Sequence, residues 1–206
     1  MNAAPGQVQS SAGGQPAFRG ITPGLVAARP AAGGSLPAGP AACGRNVVRL
    51  TWPQMQELVG QVADRVGRDG APQTVVAVLR GGAVPAVWLS HRLGLRDVRA
   101  VEVVHTVDDS LHAAKIPEPV AVNPASLGDL SGRNVLVVDD VAGTGKTIAA
   151  AVSLAAQAGA ARLRTAVCVV NEDNWAGPLP AEDVVTYIGA AARGWVVFPW
   201  EHNDEH

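Results

Sequence analysis

Apolar positions recur along residues 46–206 with two periods, one typical of helices and one of strands. The first stripe follows Thr51, a residue type that caps helix N-termini, and Gln54 completes a capping-box spacing. Pro53 is compatible with a first helical turn. The helix predicted here would bury one face at helical spacing. That face consists of Met55, Leu58, Val59, Val62 and Val66.

Continuous β-branched runs follow, of the kind that is buried on both faces of a parallel sheet. They alternate with helical segments, which is typical of an α/β fold whose mostly parallel sheet carries helices on both faces. The strands are predicted at 74–79, 98–104, 134–138, 164–170 and 183–188, and the helices at 83–93 and 145–158.

The segment His105–Leu130 interrupts this alternation. Its prolines and charges predict a mobile loop or a small hairpin rather than core. Polar side chains in its first part are interpreted as solvated loop residues, namely His105, Asp108, Asp109 and His112.

Residues 1–45 show neither period. They are rich in Ala, Gly, Pro, Ser and Gln, and such a segment cannot bury enough apolar surface to offset its chain entropy. We therefore expect a disordered extension at 1–45 and one folded domain at 46–206. The extension lacks the basic start and apolar block of a signal peptide, so we expect a cytoplasmic protein.

Composition narrows the classes of partner. The 206-residue chain has a net charge of −2 and no basic run, which argues against a nucleic-acid partner. It contains no apolar stretch of membrane-spanning length. Cys43 and Cys168 lie far apart without a metal-binding spacing, and we expect both to be reduced and Cys168 to be buried.

The strongest chemical signal follows the strand predicted at 134–138. Two adjacent carboxylates, Asp139 and Asp140, precede a turn rich in glycine and threonine that leads into a helix. The N–H groups and hydroxyls of such a turn suit a phosphate. The carboxylates would repel a phosphate and need vicinal hydroxyls or a metal as partners. Together these features indicate a sugar phosphate as ligand.

This run resembles the 5-phosphoribosyl-1-pyrophosphate (PRPP) signature of the type I phosphoribosyltransferases, in which two acids precede Thr-Gly-x-Thr. The resemblance implies that Asp139 and Asp140 are catalytic residues that bind the ribose hydroxyls. It also implies that Mg²⁺ enters with PRPP and that these two acids are candidates for holding the ion. The implied 5′-phosphate site comprises Ala142, Gly143, Thr144, Gly145, Lys146 and Thr147.

A Walker A loop is the rival interpretation, because 145–147 match its last three letters. Its spacing requires glycine at position 140, where this chain has Asp140. An acid there would face the triphosphate, and we reject this alternative.

A second strand-to-helix turn, Arg80-Gly81-Gly82, resembles the pyrophosphate loop of the same family. The resemblance implies that Gly81 and Gly82 let the backbone approach the diphosphate and that Arg80 acts in catalysis by stabilising the departing charge. Lys115, in the loop that closes over PRPP in this family, would reach the pyrophosphate. An ordinary βα turn is the alternative, because Arg-Gly-Gly alone is a weak signal.

The tail Trp195–Glu201 looks like the end of xanthine–guanine phosphoribosyltransferases and their archaeal purine relatives. The resemblance implies a base site formed by Trp195, the backbone of Val196, and Asn171. Two positions depart from the 6-oxopurine pattern: Gly143 stands where an aspartate is usual, and Asn171 where a lysine is usual. Glu172 or Asp173 could take the missing acid–base role.

These features predict Mg²⁺-dependent transfer of 5-phosphoribose from PRPP to a nitrogenous, purine-like base, with release of pyrophosphate. The partners expected are PRPP and a heterocyclic base, with no nucleic acid and no membrane, in a homo-oligomer, either a dimer or a tetramer. Three alternatives stay open. They are the same reaction on an unusual base of specialised metabolism, a non-catalytic PRPP-binding regulator, and a structural or interaction domain.

Overall fold

The structure is a computed structural model that describes residues 34–36, 46–106, 115–175 and 179–201. The elements along these residues are β1 (Val47–Arg49), α1 (Trp52–Arg68), β2 (Thr74–Leu79), α2 (Ala83–Arg92), β3 (Val98–Thr106), β4 (Lys115–Ala121), a 3₁₀ helix (Pro124–Leu127), β5 (Asn134–Ala142), α3 (Lys146–Gln157), β6 (Arg162–Asn171), α4 (Ala181–Val184), β7 (Tyr187–Ala192) and β8 (Trp195–Val197).

The main sheet has six strands in the order β4-β3-β2-β5-β6-β7. All neighbours are parallel except β3 and β4. A separate two-stranded parallel sheet joins β1 to β8. The predicted α/β class with a mostly parallel sheet is therefore confirmed.

Helices cover both faces of the sheet, as the alternation along β2 shows. Val75 and Ala77 pack on the side of α1 and α2, whereas Val76 and Val78 pack on the side of α3. With both faces covered, the carboxyl ends of the strands are where an open α/β sheet can bind a ligand.

The start of α1 follows the sequence prediction. The Gln54 N–H donates to Thr51 Oγ1 at 3.4 Å, and the Thr51 N–H donates to Gln54 Oε1 at 2.8 Å. All five residues of the predicted apolar stripe are buried. Cys168 is also buried, as expected, and burial raises the pKa of its thiol.

Two predicted strands have different ends in the structure. The strand predicted at 134–138 continues to Ala142, so Asp139 and Asp140 are buried residues within it rather than the residues after it. The strand predicted at 183–188 is wrong at its start. Ala181–Val184 form α4, and the observed strand is β7. Pro180 before α4 and acids in its first turn favour a helix start.

The segment His105–Leu130 is in part a hairpin, because β4 runs antiparallel to β3. Its closing part is core instead of loop, since Leu127 and Leu130 are fully buried against α3. Residues 107–114, including Asp108, Asp109 and His112, lie outside the described residues.

Residues 34–36 of the predicted extension contact β7. Ser35 bridges to Ala191 of β7, and the Leu36 N–H donates to the Ala191 carbonyl at 2.9 Å. The rest of 1–45, including Cys43, lies outside the described residues, and the domain boundary stays a prediction. No helix in the described part of the chain is long and apolar enough to cross a membrane.

Candidate active site

The two turns singled out in the sequence meet in the structure. A Cβ on Gly81 would lie 1.9 Å from Asp140 Oδ2, so the Arg80-Gly81-Gly82 turn packs directly against the carboxylate at the end of β5. Gly82 is pressed between the carbonyls of Val78 and Val138, each 2.5 Å from its notional Cβ. The peptide bond that precedes Arg80 is cis. Because backbone carbonyls enclose it, Gly82 is required for the close packing of this turn on β5, whereas Gly81 leaves room for the Asp140 carboxylate.

The paired acids point to opposite faces of the sheet, because successive residues of a strand alternate. Asp139 lines a cavity on the α3 side, whereas Asp140 contacts the turn before α2. Asp139 Oδ1 accepts from the Asp140 N–H at 3.0 Å, and Asp140 Oδ1 accepts from the Val141 N–H at 2.7 Å.

Both carboxyls are poorly solvated. Burial, followed by repulsion from Asp140, raises the pKa of Asp139 well above its ordinary range. Burial raises the pKa of Asp140 to about 6, and the charge of Glu201 adds to this shift. A cation or hydroxyl donors would offset the cost of ionising this pair.

The turn between β5 and α3 carries the residues predicted to bind a phosphate. Gly145 is the residue before α3 and adopts φ +75°, a conformation that favours glycine. A Cβ there would lie 2.8 Å from the Trp175 ring, so the turn is backed by an aromatic side chain. The Lys146 N–H lies 3.4 Å from Thr144 Oγ1.

The Lys146 side chain extends away from this turn toward the β3–β4 hairpin. Its Nζ lies 3.3 Å from Glu118 Oε1, and both side chains are largely exposed. Lys115 opens β4, but its side chain lies outside the described residues.

A cavity of about 290 Å³ joins the β5–α3 turn to the tail of the chain. The predicted residues that the structure brings together on its wall are Asp139, Ala142, Gly143, Thr144, Gly145, Thr147, Asn171, Trp195 and Val196. Arg80 is an exposed residue at the start of its turn.

The tail places one backbone edge toward this cavity. In the β1–β8 ladder the Trp195 N–H donates to the Asn46 carbonyl at 2.8 Å, and the Leu50 N–H donates to the Val197 carbonyl at 2.9 Å. Because a strand alternates its hydrogen-bonding sides, the N–H and C=O of Val196 point away from β1. Val196 itself lines the cavity.

Asn171, at the end of β6, is held by three hydrogen bonds. Its Oδ1 accepts from the N–H groups of Asp173 and Asn174, at 3.1 and 3.3 Å. Its Nδ2 donates to the Gly194 carbonyl at 2.7 Å. The amide oxygen has both lone pairs engaged, and one amide hydrogen is left to donate.

Sequence reasoning did not assign His105 or Glu201 to the site, and both lie on the cavity wall. The further lining residues outside the predicted site are Val141, Ile148, Asn174 and Phe198. His105, interpreted from the sequence as a solvated loop residue, is half-buried on β3 and lines the cavity. The rule that ligands bind at the carboxyl ends of parallel strands could have found it. Glu201 also lines the cavity, and its carboxylate accepts from the Phe198 N–H at 2.9 Å. No pattern in the sequence marks that contact.

Strand order, the two glycine-containing turns and the buried acids define the architecture of a type I phosphoribosyltransferase. Comparison with known proteins agrees. A profile of the phosphoribosyl transferase domain family matches residues 50–203, and the chain belongs to that family. Its members are enzymes, and the relatives described next associate it with purine-like bases.

The xanthine-guanine phosphoribosyltransferase of Cereibacter sphaeroides is 30% identical over 159 residues, which cover 76% of this chain and 81% of that protein. The purine phosphoribosyltransferase of Pyrococcus horikoshii superposes with a TM-score of 0.63 at 30% identity, covering 78% of this chain and 97% of that one. The xanthine-guanine-hypoxanthine enzyme of Helicobacter pylori shares the fold, with a TM-score of 0.58 at 18% identity over 75% of this chain and 94% of that one.

Proposed function

We propose that this protein catalyses Mg²⁺-dependent transfer of 5-phosphoribose from PRPP to a nitrogen of a purine-like base, releasing pyrophosphate. The contact between Gly81 and Asp140 carries the proposal, because the turn proposed to bind the diphosphate packs against one of the two acids proposed to bind ribose. Thr144 and Gly145, proposed to hold the 5′-phosphate, line a cavity together with the other acid, Asp139.

The proposed reaction breaks the bond from the anomeric carbon to pyrophosphate, which leaves with the bonding electrons. A new bond forms from that carbon to a ring nitrogen of the base, and the proton of that nitrogen passes to solvent. The sugar becomes cationic in the transition state, so no covalent nucleophile is needed. Asp139 and Asp140 would orient the ribose hydroxyls and favour that positive charge. Arg80 and the backbone of Gly81 and Gly82 would stabilise the departing diphosphate.

Magnesium fits this site as an ion carried by PRPP. Asp139 and Asp140 are two buried carboxyls with raised pKa values, and a nearby cation would favour their ionised forms. Within the described ranges, no group of three or more His, Cys, Asp or Glu side chains forms a metal cluster, so the protein alone offers few ligands. When bound, Mg²⁺ would neutralise charge on the diphosphate.

The base would lie in the cavity between Trp195 and Asn171. Trp195 would stack on the ring and the backbone of Val196 would read its edge. Because the amide oxygen of Asn171 is occupied, this residue can offer the base a hydrogen-bond donor but no acceptor. That donor favours a base with an oxo group over one with an amino group at this position.

Incubation of the protein with PRPP, Mg²⁺ and a panel of oxo- and aminopurines, with pyrophosphate release as the signal, tests the proposal. We expect turnover of at least one oxo-substituted base and none of adenine. PRPP binding without turnover of any base would instead favour the non-catalytic regulator.

The same reaction on an unusual base is the second candidate, and Gly143 favours it. An aspartate is usual at this position in the 6-oxopurine enzymes that the motif resembles, and loss of a general acid–base group slows a reaction by about 10²–10⁴-fold. We expect slow turnover of guanine, xanthine and hypoxanthine, and faster turnover in Gly143→Asp. Gly143, unlike Gly145, is not among the described glycines with positive φ, so the backbone accepts the change. Rapid turnover by the natural protein would contradict this candidate.

A further inference from the structure

The turn that follows β6 contacts the turn that precedes β8. The Gly194 N–H donates to Asp173 Oδ2 at 2.7 Å, and the Gly194 carbonyl accepts from Asn171 Nδ2, also at 2.7 Å. Side chains therefore bind both backbone polar groups of Gly194: Asp173 binds its N–H and Asn171 binds its carbonyl. We call Asn171, Asp173 and Gly194 the clamp.

The Asn171 side chain is itself fixed before it reaches Gly194. Its amide oxygen accepts from two backbone N–H groups of its own turn, at Asp173 and Asn174. These bonds set the orientation of the carboxamide, so that its nitrogen faces Gly194. Hydrogen bonds of this kind position one group through another without direct contact with a ligand.

Gly194 is also confined on its other side. It has φ +101°, and a Cβ would lie 2.1 Å from the Asn46 carbonyl oxygen, so glycine is required here. The same carbonyl accepts from the Trp195 N–H. The backbone that carries Trp195 is thus held between the start of β1 and the turn after β6.

Trp195 needs such support because its ring is not core. Its side chain is 38% exposed on the cavity wall, whereas the neighbouring Val196 and Val197 are buried. With little packing around the ring, its position depends on the backbone that carries it. Asp173 is exposed and is not one of the described residues that line the cavity.

We propose that Asp173 is a positioning residue for the base site: by binding the Gly194 N–H, while the Asn171 amide binds the Gly194 carbonyl, it orients Trp195 and the Val196 backbone toward the base. This inference rests on the proposed function, since it assigns the residues that shape its base subsite. It also replaces the acid–base role suggested for Asp173 by the sequence.

Asp173→Ala removes the acceptor for the Gly194 N–H, and Asp173→Asn retains one. We expect Asp173→Ala to raise KM for the base about tenfold, the order expected when one charge-assisted hydrogen bond is lost. KM for PRPP should stay within about twofold, because the Gly81 and Gly145 turns are untouched. Asp173→Asn should recover most of the base affinity, because its carboxamide oxygen can still accept.

Asp183→Ala is the matched control, because it makes the same change at an exposed aspartate in the first turn of α4. Asp183 does not line the cavity, so we expect no change beyond about twofold in either KM. Equal losses for base and PRPP, or a failure of Asp173→Asn to recover, would overturn the proposal.

A measurement without substrate separates this inference from the proposed function. In protein labelled with 5-fluorotryptophan, Trp195→Phe identifies the ¹⁹F resonance of Trp195. We expect Asp173→Ala to shift or broaden this resonance, with Asp173→Asn and Asp183→Ala close to the natural protein. An unchanged Trp195 resonance in folded Asp173→Ala would overturn the clamp even in an active enzyme. A protein that turns over no base would refute the function while leaving this comparison valid.

Discussion

Two neighbouring carboxyls at the end of β5 are costly for the ligand-free fold. Asp139 and Asp140 are both buried, and their raised pKa values mean that the folded state holds protons that the unfolded chain would release. The stabilisation that comes from holding these protons is present below about pH 4, where an ordinary carboxyl is also protonated. It is lost as the pH rises through about 6, the pKa of Asp140.

Replacing both acids by asparagine should therefore separate stability from binding. We expect the ligand-free double variant to match the natural protein in free energy of unfolding near pH 4 and to exceed it at pH 8, measured without Mg²⁺. Binding of Mg-PRPP should weaken at least about tenfold in calorimetry, because the ribose partners and their charge are lost. Unchanged affinity in the folded variant would refute the ribose assignment.

Alanine substitutions at the two glycines of the turn between β2 and α2 should have different effects. Gly81→Ala places a methyl group against a side chain, the carboxylate of Asp140, which can move. Gly82→Ala places it against two backbone carbonyls, which cannot easily move. We expect Gly81→Ala to weaken pyrophosphate inhibition about tenfold with a small loss of stability. Gly82→Ala should lower the free energy of unfolding by about 1–3 kcal/mol. Similar profiles for the two variants would favour an ordinary βα turn.

At the scale of elements, the two ends of β6 have different proposed roles: one end lies at the candidate site, and the other stabilises the fold. Asn171 at its carboxyl end lines the cavity and is proposed for the base site, whereas Arg164, near its start, is fully buried. Arg164 donates to the Tyr187 hydroxyl at 2.9 Å and to the Gly70 carbonyl at 2.6 Å. The Tyr187 hydroxyl in turn donates to Asp69 Oδ2 at 2.9 Å, so the network ties β6 and β7 to the end of α1.

Arg164→Ala should therefore affect stability and not catalysis. Removing one partner from a buried charged network costs about 3–5 kcal/mol, and we expect a loss of that order in urea unfolding. KM for base and PRPP should be unchanged in the folded fraction, since Arg164 lies at the opposite end of the strand from the site. Arg162→Ala, an exposed position of the same strand, is the control and should cost little. A rise in KM with Arg164→Ala would contradict this separation of roles.

For the whole molecule, ligand binding should appear as thermal stabilisation. PRPP with Mg²⁺ at 100 times its Kd adds about 2.7 kcal/mol to the folded state. At about 2–4 °C per kcal/mol for a chain of this size, Tm should rise by about 5–10 °C. The variant with both acids replaced should show little rise, and ATP should give little with the natural protein, since the Walker A spacing is absent. A large shift with ATP would reopen that interpretation.

The homo-oligomer stays a prediction that light scattering can test.

The sequence by itself determined those parts of the protein whose signals are local. The alternation of buried β-branched runs with helical stripes predicts the sheet and its covering helices, because each element must bury its own apolar face. The capping box at Thr51 and the two turns at Gly81 and Gly145 are also local, since a few neighbouring residues set their backbone conformation. These signals placed the acids and the predicted phosphate-binding turn without reference to the rest of the chain.

Only the tertiary structure decided what depends on residues far apart in the chain. β1 and β8 are too short to show a period, and they exist because they pair with each other. β5 extends through Asp140 because β6 continues beside it, although carboxylates are unfavourable in strands. The engaged amide of Asn171 depends on Gly194, 23 residues away. The local pattern of apolar and polar residues predicts which face of a segment is buried. The hydrogen-bond partner of each polar group depends instead on how distant segments pack across the sheet.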